Sequence, residues 1–429
     1  MSGAARPVAR IAEGIRLSRT GSRAWVLPEE ACWCVTLDGR APPPPDPAPR
    51  VPEPPPRLAE VWLYTNEDCN LRCSHCFLPP RPLRPPPGSL LERAEEALRL
   101  GAETVYLTGG EPFLREDLEE LVAALAPRAT VVVLTNGTLV TPRRMERLAA
   151  LVPATLRRRL AFQVSLDGSR EVHDARRGNG AFDRAVSGIE ALTAFGRPPA
   201  VSTTLTGANA GGAHEVTRML PGLGCRVHHL FLPHVGGRLA AGAERLPAPR
   251  ELLAAIRRCR EAADAGGVIL SNHVVVASRV RRPGRRYDGC VGGCAMLAVA
   301  ADGSVYPCPS LAGRSGLADP PGTALVRAVS SGRCAELRHA TLARRPRCGA
   351  CDYRHFCGGG CAAHAYAAGG GYDAGEPYCE VYRGLIEDCL REESERLLGE
   401  ATAEDLTGGV LRPSPAEGAG TGRHRFGCT

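Results

Sequence analysis

Short apolar segments alternate with longer amphipathic ones between about residues 59 and 270. Helix-period apolar residues between the strands predict helices, one opened by a capping box from Ser89 to Glu92 and another by Pro142. Such alternation predicts a parallel β/α array, whose active residues lie at the carboxyl ends of the strands. Six units are too few for a closed eight-fold barrel, so we expect an open, partial one. The predicted strands are 60–65, 104–108, 130–135, 160–165, 200–205 and 226–232.

The segments on either side of this array differ from it in amino-acid composition. Residues 1–40 predict a short β-rich piece, and the proline-rich stretch 41–57 predicts a semi-rigid spacer before a core at 58–270. Cysteine and glycine dominate 285–395, where regular structure should be scarce and folding should depend on bound metal. The low-complexity segment 400–429 is expected to be a disordered tail.

Composition excludes several classes of protein. All 53 basic residues are arginine, so Schiff-base chemistry and a phosphate-loop lysine are excluded. The apolar runs are too short to span a membrane, and the first residues lack the apolar stretch of a secretion signal, so we expect a cytoplasmic protein. Dispersed arginines without interleaved aromatic residues argue against nucleic-acid binding. Eighteen cysteines in such a chain indicate metal ligation rather than disulfides.

A compact cysteine motif follows the first predicted strand. Cys69, Cys73 and Cys76 are separated by three and then two residues. Three thiolates on one loop can hold three irons of a [4Fe–4S] cube and leave the fourth iron open to a ligand. The alternatives are a zinc loop or a structural cluster with a remote fourth cysteine.

Polar residues recur where successive strands end. The second strand is followed by Gly109, Gly110 and Glu111. The glycines would let a ligand approach the backbone, and the glutamate could bind an ammonium group. An ordinary turn is the alternative. Asn136 follows the third strand, and the fourth leads into Ser165-Leu166-Asp167. These groups share one end of the array, which predicts one shared pocket.

In this order, the three-cysteine loop, the GGEP turn and the TNG and SLDG strand ends resemble the radical SAM superfamily over about residues 59–250. The resemblance implies a partial (β/α)6 TIM-type barrel and an oxidoreductase that reductively cleaves S-adenosylmethionine (SAM) to a 5′-deoxyadenosyl radical and abstracts a substrate hydrogen. It implies that Cys69, Cys73 and Cys76 ligate the cluster. The implied SAM-binding residues are Gly109, Gly110 and Glu111 at the methionine end, with Asn136, Ser165 and Asp167 lining the pocket. Arg177 is a candidate for the SAM carboxylate, with a solvated surface arginine as the alternative.

A second cysteine field lies in the C-terminal region. Its spacing resembles the SPASM domain of radical SAM maturases, and zinc sites are the alternative. The resemblance implies two auxiliary [4Fe–4S] clusters, three clusters in all, with the auxiliary pair relaying the electron left after hydrogen abstraction. If Cys294 were not a ligand, the first auxiliary cluster would be open to substrate. The implied ligands are Cys290, Cys294, Cys308 and Cys361 for the first, and Cys348, Cys351, Cys357 and Cys379 for the second.

Most SPASM-bearing radical SAM proteins modify ribosomally made peptides or proteins, so the resemblance implies a peptide or protein maturase. One alternative is a dehydrogenase or synthase acting on a small molecule or cofactor precursor. Another is a non-catalytic iron–sulfur or zinc protein, against which the intact GGEP turn and three-cysteine loop argue. The implied partners are a flavodoxin or ferredoxin electron donor and a separate peptide-recognition protein. His228, His229 and His234, near the end of the sixth strand, are candidate pocket walls or ordinary residues.

Overall fold

The computed structural model describes residues 15–17, 21–28, 31–41, 57–78, 82–282, 284–402 and 410–413. Most of the predicted spacer at 41–57, and all but a few residues of the predicted tail, lie outside these ranges. The strands of the described residues are β1 Ile15–Arg16, β2 Arg23–Leu27, β3 Cys32–Thr36, β4 Glu60–Tyr64, β5 Thr104–Thr108, β6 Thr130–Thr135, β7 Leu160–Ser165, β8 Ala200–Thr204, β9 Val227–Phe231, β10 Ile269–Leu270, β11 Met296–Val299, β12 Val305–Tyr306 and β13 Val410–Leu411.

Helices connect and cover the strands. α3 begins at Pro142, as predicted, and the Arg144 N–H donates to the side chain of Thr141 just before it. α1 differs from the prediction: it begins at Pro87, and the Ser89 hydroxyl donates to Pro86 O (2.8 Å) instead of forming a capping box. The helices are α1 Pro87–Arg99, α2 Leu118–Leu125, α3 Pro142–Leu151, α4 Ala154–Arg157, α5 Arg170–Arg177, α6 Ala181–Ala194, α7 Ala213–Met219, α8 Gly237–Ala240, α9 Pro249–Gly266, α10 Ser271–Val280, α11 Leu325–Val329, α12 Gly332–Arg338, α13 Pro346–Gly349, α14 Arg354–Cys357, α15 Ala362–Gly369 and α16 Cys379–Glu400.

The larger sheet has nine strands in the order β10-β9-β8-β7-β6-β5-β4-β11-β12. Strands β4 to β9 are parallel neighbours in chain order, which confirms the expected partial barrel of six β/α units. Alternate residues of β4 and β5 take opposite faces. Leu63 and Leu107 enter the helix-covered core, whereas Trp62 and Tyr106 stack on the other face with ring centroids 4.0 Å apart.

The cysteine-rich region contributes to this sheet. Its strand β11 pairs in parallel with β4, with Leu297 opposite Val61, and β12 returns antiparallel to β11. Helix α16 packs against α9 and α10 at the other edge of the barrel. Regular structure is therefore less scarce than predicted, because this region is held partly by strand pairing and helix packing.

The smaller sheet has the order β1-β2-β3-β13 and joins both ends of the chain. β13 pairs antiparallel with β3, with Leu411 opposite Val35. The expectation of a disordered tail is therefore wrong for Val410 and Leu411, which find a strand edge far away in sequence. Trp33 anchors this sheet by donating from Nε1 to Val280 O at the end of α10 (2.9 Å). In the described part of the chain, the helices lack the combination of length and apolarity that a membrane crossing requires.

Candidate active site at the carboxyl ends of the strands

The three predicted cluster cysteines lie together on the loop that leaves β4. Burial, with a smaller contribution from the neighbouring thiols of Cys73 and Cys76, raises the pKa of Cys69 to about 11. This electrostatic influence places the three thiols in one neighbourhood. Burial also raises the pKa of Cys73, and a bound cation would favour the thiolate forms of Cys69 and Cys73.

The backbone of the cysteine loop is fastened to two helices. The Ser74 N–H donates to Arg176 O in α5 (2.9 Å). From α8, the Arg238 side chain donates to Cys73 O (2.6 Å), and its backbone N–H donates to Cys76 O (3.0 Å). These contacts position the backbone carbonyls of Cys73 and Cys76.

Because Gly109 and Gly110 have no Cβ, their turn can lie directly against the backbone of a neighbouring loop. A Cβ on Gly109 would lie 2.1 Å from Asn66 O, and one on Gly110 would lie 1.8 Å from Asp68 O. Gly109 also has a φ of +134°, which side-chain-bearing residues rarely adopt. The space that glycine leaves is thus filled by the segment leading to the cysteines. Contact of these glycines with SAM stays a prediction.

Glu111 is fully buried and joins two strand ends. Its carboxylate accepts hydrogen bonds from Thr135 Oγ1 (2.6 Å), the Asn136 N–H (2.7 Å) and the Phe113 N–H (3.0 Å). Burial raises the pKa of Glu111, whereas these three donors act in the opposite direction. The side chain therefore ties the end of β5 to the end of β6.

Asn136 reaches from the end of β6 to the cysteine loop. Its Nδ2 donates to Asn70 Oδ1 (2.9 Å) and lies 3.8 Å from Cys69 Sγ. Its Oδ1 accepts from the Thr138 N–H (2.9 Å). The predicted pocket residue thus lies beside the cluster cysteines, with an amide N–H group next to one sulfur.

Asp167 and Arg177 form a buried ion pair beneath the cysteines. Arg177 Nε donates to Asp167 Oδ2 (2.6 Å), and Nη1 lies 3.8 Å from Cys73 Sγ. Burial by itself would raise the pKa of Asp167, but Arg177, Arg176 and His75 outweigh it and hold this pKa well below its usual range. The alternative of a solvated surface arginine is wrong, because Arg177 is only 8% exposed. Ser165, partly buried at the end of β7, precedes this pair.

The sequence did not indicate two further members of this network, Arg176 and Glu244. Glu244 follows α8 and accepts hydrogen bonds from Arg176 (3.0 Å from Nε and from Nη2), Ser74 and Thr206. His75 Nδ1 lies 3.7 Å from the same carboxylate. Arg176 adjoins Arg177 in the sequence and could have been suspected, whereas Glu244 stands in an Ala- and Gly-rich stretch with no pattern around it.

The second cysteine field forms two groups. Cys348, Cys351, Cys357 and Cys379 influence one another electrostatically, and burial raises the pKa of Cys357 to about 12. Cys308 and Cys361 belong to one buried apolar cluster, and Cys290 packs against it. The division of these cysteines into two ligand sets stays a prediction. The Cys294 thiol lies 3.2 Å from Val291 O, and its place in the first set stays a prediction.

Other predicted candidates have ordinary roles. The imidazole of His228 is fully buried and contacts the hydroxyls of Thr203 and Thr217, each at 2.9 Å. It therefore supports the interior of the barrel rather than lining a pocket. Among the described residues, five cysteines outside the predicted ligand sets are also buried: Cys34, Cys225, Cys259, Cys334 and Cys389.

Comparison with known proteins identifies this arrangement. The family model described as "Radical SAM superfamily" matches residues 63–211. The chain is 31% identical to an AdoMet-dependent heme synthase of Methanosarcina barkeri, covering 73% of this chain and 94% of that protein. It is 28% identical to a PqqA peptide cyclase of Methylocella silvestris, covering 73% and 85%. The chain belongs to the radical SAM superfamily, and SAM and a [4Fe–4S] cluster are the cofactors that this membership implies.

A solved structure extends the likeness to the fold. The structure titled "Native anSMEcpe with bound AdoMet and Cp18Cys peptide" superposes with a TM-score of 0.64 at 15% identity, covering 79% of this chain and 99% of that chain. At that identity the comparison supports the fold alone.

Proposed function

We propose that this enzyme cleaves SAM reductively and abstracts a hydrogen atom from a substrate held at the carboxyl ends of the strands. One observation carries the proposal. The loop with Cys69, Cys73 and Cys76 lies against the polar ends of β5 to β8, where Asn136 and Arg177 each place an N–H group 3.8 Å from a cysteine sulfur. A loop with three clustered thiols and two donors fits a cluster with one iron left for SAM.

Different residues would ligate the cluster, stabilise its charge and bind SAM. Cys69, Cys73 and Cys76 would ligate the cluster, and donors beside the sulfurs would stabilise their negative charge. The bound cofactors would supply a 5′-deoxyadenosyl radical. Asp167 and Arg177 neutralise each other beneath this position, so the buried site carries no unpaired charge from them. Gly109, Gly110, Glu111 and Ser165 remain proposed SAM contacts.

Two auxiliary [4Fe–4S] clusters complete the proposal. The first would use Cys290, Cys294, Cys308 and Cys361, and the second would use Cys348, Cys351, Cys357 and Cys379. The grouping of these cysteines in the fold supports the assignment. Clusters with four protein ligands have no position for a substrate, so they would carry electrons from the substrate radical to an external acceptor.

For the substrate, a peptide or protein side chain is the first candidate. The PqqA peptide cyclase aligns over 85% of its length, and the structure with bound AdoMet and peptide shares the fold. A tetrapyrrole-type cofactor precursor is the second candidate. It is favoured by the heme synthase, which aligns with higher identity over 94% of its length.

Anaerobic reconstitution followed by reduction in the presence of SAM tests the central claim. The wild-type chain should hold about twelve irons, three clusters of four, and should release 5′-deoxyadenosine. Cys73→Ala should lose about four irons and all release of 5′-deoxyadenosine. The matched control Cys225→Ala removes a buried cysteine of the core and should keep both. Undiminished 5′-deoxyadenosine from Cys73→Ala would refute the proposal.

Deuterium transfer then separates the two substrate classes. A deuterated peptide encoded by a neighbouring short reading frame, or a deuterated iron porphyrin carrying propionates, is incubated with the reduced enzyme. The true substrate should transfer deuterium into 5′-deoxyadenosine and should itself change mass. Transfer from the porphyrin alone would exclude the peptide proposal.

A further inference from the structure

An imidazole pair lies beside a predicted auxiliary-cluster ligand. His364 stands three residues after Cys361, in the first turn of α15. One ring nitrogen of His364, one of His234 and the Cys361 sulfur all lie within 4.8 Å of one another. Nothing in the motif of the cysteine field indicates a histidine at this position.

His364 is buried with unmet hydrogen-bonding capacity. Its side chain is 1% exposed, and among the described residues neither ring nitrogen has a hydrogen-bond partner. Its Nδ1 lies 3.3 Å from Glu376 Oε1, within the distance of an ion pair but without hydrogen-bond alignment. A buried N–H without a well-aligned acceptor is costly, so the ring is suited to donate to an acceptor beside it.

Glu376 and His234 hold the arrangement in place. Glu376 Oε2 accepts from the Cys361 N–H (2.7 Å), so the carboxylate fixes the backbone that carries the cysteine. His234, on the loop after β9, packs on His364 with ring centroids 4.2 Å apart. On its other side it lies 6.1 Å from the ring of Phe77, the residue after Cys76. The imidazole pair therefore lies close both to Cys361 and to the residue that follows Cys76.

We propose that His364 donates an N–H···S hydrogen bond to the Cys361 sulfur and thereby raises the reduction potential of the cluster that Cys361 ligates. This inference rests on the proposed auxiliary cluster. Reduction adds negative charge that spreads onto the cysteine sulfurs, and a donor to such a sulfur stabilises the reduced form more than the oxidised form. His364 is a positioning residue, since it acts on the metal through Cys361.

The test is a redox titration of the reconstituted enzyme followed by electron paramagnetic resonance. SAM perturbs the signal of the open cluster and so separates it from the auxiliary signals. His364→Phe keeps a ring but removes the N–H, and one auxiliary midpoint should shift to lower potential. His364→Gln restores a donor and should return the midpoint toward the wild-type value. The control His339→Phe, at an exposed histidine after α12, should change nothing.

A second measurement keeps the inference falsifiable if His364→Phe loses the cluster. Hyperfine spectroscopy of the wild-type enzyme in D2O should show one exchangeable proton coupled to that auxiliary cluster. The inference is overturned if no such proton is found, or if His364→Phe leaves both auxiliary midpoints unchanged.

Other outcomes separate this inference from the proposed function. A strong nitrogen coupling would mean direct ligation by histidine and would also overturn the hydrogen bond. A single bound zinc or iron, with one cluster missing from the wild-type iron count, would place a mononuclear site at His234, Cys361 and His364. That result would overturn the auxiliary-cluster assignment together with the inference. If the wild-type enzyme holds all three clusters but His364→Phe leaves the auxiliary midpoint potentials unchanged, only the hydrogen-bond inference is overturned and the proposed function stands.

Discussion

Glu244→Gln tests whether the buried charge network holds the cysteine loop. The Glu244 side chain is 5% exposed and its partner Arg176 is 3% exposed, so solvent screens their interaction little. The carboxylate accepts two hydrogen bonds from Arg176 and one each from Ser74 and Thr206. Glutamine has nearly the same shape but no charge and only one acceptor oxygen, so it leaves Arg176 partly uncompensated.

The expected loss is large. Removing one partner of a buried ion pair costs about 3–5 kcal/mol, and the matched shape of glutamine places this change near the lower end, about 3 kcal/mol. The whole free energy of unfolding of a typical domain is about 5–15 kcal/mol. Because Ser74 lies between Cys73 and Cys76, the loosened loop should also release the SAM-binding cluster faster.

Anaerobic urea unfolding measures the stability change, and iron release to a chelator measures cluster retention. Glu120→Gln is the matched control, since Glu120 pairs with Arg147 at the surface, with side chains 48% and 44% exposed. Exposed pairs contribute about 1 kcal/mol or less. The reasoning would be refuted if Glu244→Gln unfolded at the same urea concentration as this control.

The pH dependence gives an independent check. Burial alone would raise the pKa of Glu244, but contacts with His75, Arg176, Ser74 and Thr206 lower it well below the usual carboxyl range. A carboxylate with a lowered folded-state pKa contributes stability above its ordinary pKa of about 4.3 and loses that contribution as the pH falls below it. Unfolding free energy should therefore fall less steeply below pH 4.3 in Glu244→Gln than in the wild type.

Two further substitutions test the neighbouring contacts by anaerobic urea unfolding. Gly110→Ala places a Cβ 1.8 Å from Asp68 O, so it should destabilise the fold by at least about 1–3 kcal/mol. The control Gly88→Ala adds a Cβ that meets no atom within 4 Å and should not destabilise the fold. Equal stability of the two variants would contradict this prediction. Arg177→Gln strips Asp167 of its closest partner and should cost about 3–5 kcal/mol, while Arg177→Lys retains part of that stability because the charge remains. A fully stable Arg177→Gln variant would show that Arg176 alone compensates Asp167.

Local pattern was enough to predict the elements of the barrel, and it also supplied the cysteine ligand sets that are proposed here. Each parallel strand buries one face under helices, so it reads as a short apolar run bounded by polar residues. The three cysteines of the β4 loop lie within eight residues of one another, and a loop that short brings them together whatever surrounds it. The polar ends of β5 and β6 converge because parallel strands end at one edge.

Such local patterns could not predict contacts between residues that lie far apart in the sequence. Glu244 meets Ser74 and Arg176 only because the loop after α8 folds over the cysteine loop. The pattern did not predict the close approach of the GGEP turn to the segment before the cysteines, where Asn66 and Asp68 lie against Gly109 and Gly110. Val410 and Leu411 carry too weak a strand pattern alone, and their pairing depends on the exposed edge of β3.

The sequence by itself determined the barrel through its short-range periodicity, and its ordered motifs indicated the family and the cysteines that are proposed to hold iron. Tertiary structure alone decided which charges compensate one another beneath the cluster loop, how the cysteine-rich region joins the sheet through β11, and that His364 and His234 meet at Cys361. Burial and pairing of polar groups depend on all the residues packed around them, and that information is not local to any segment of the chain.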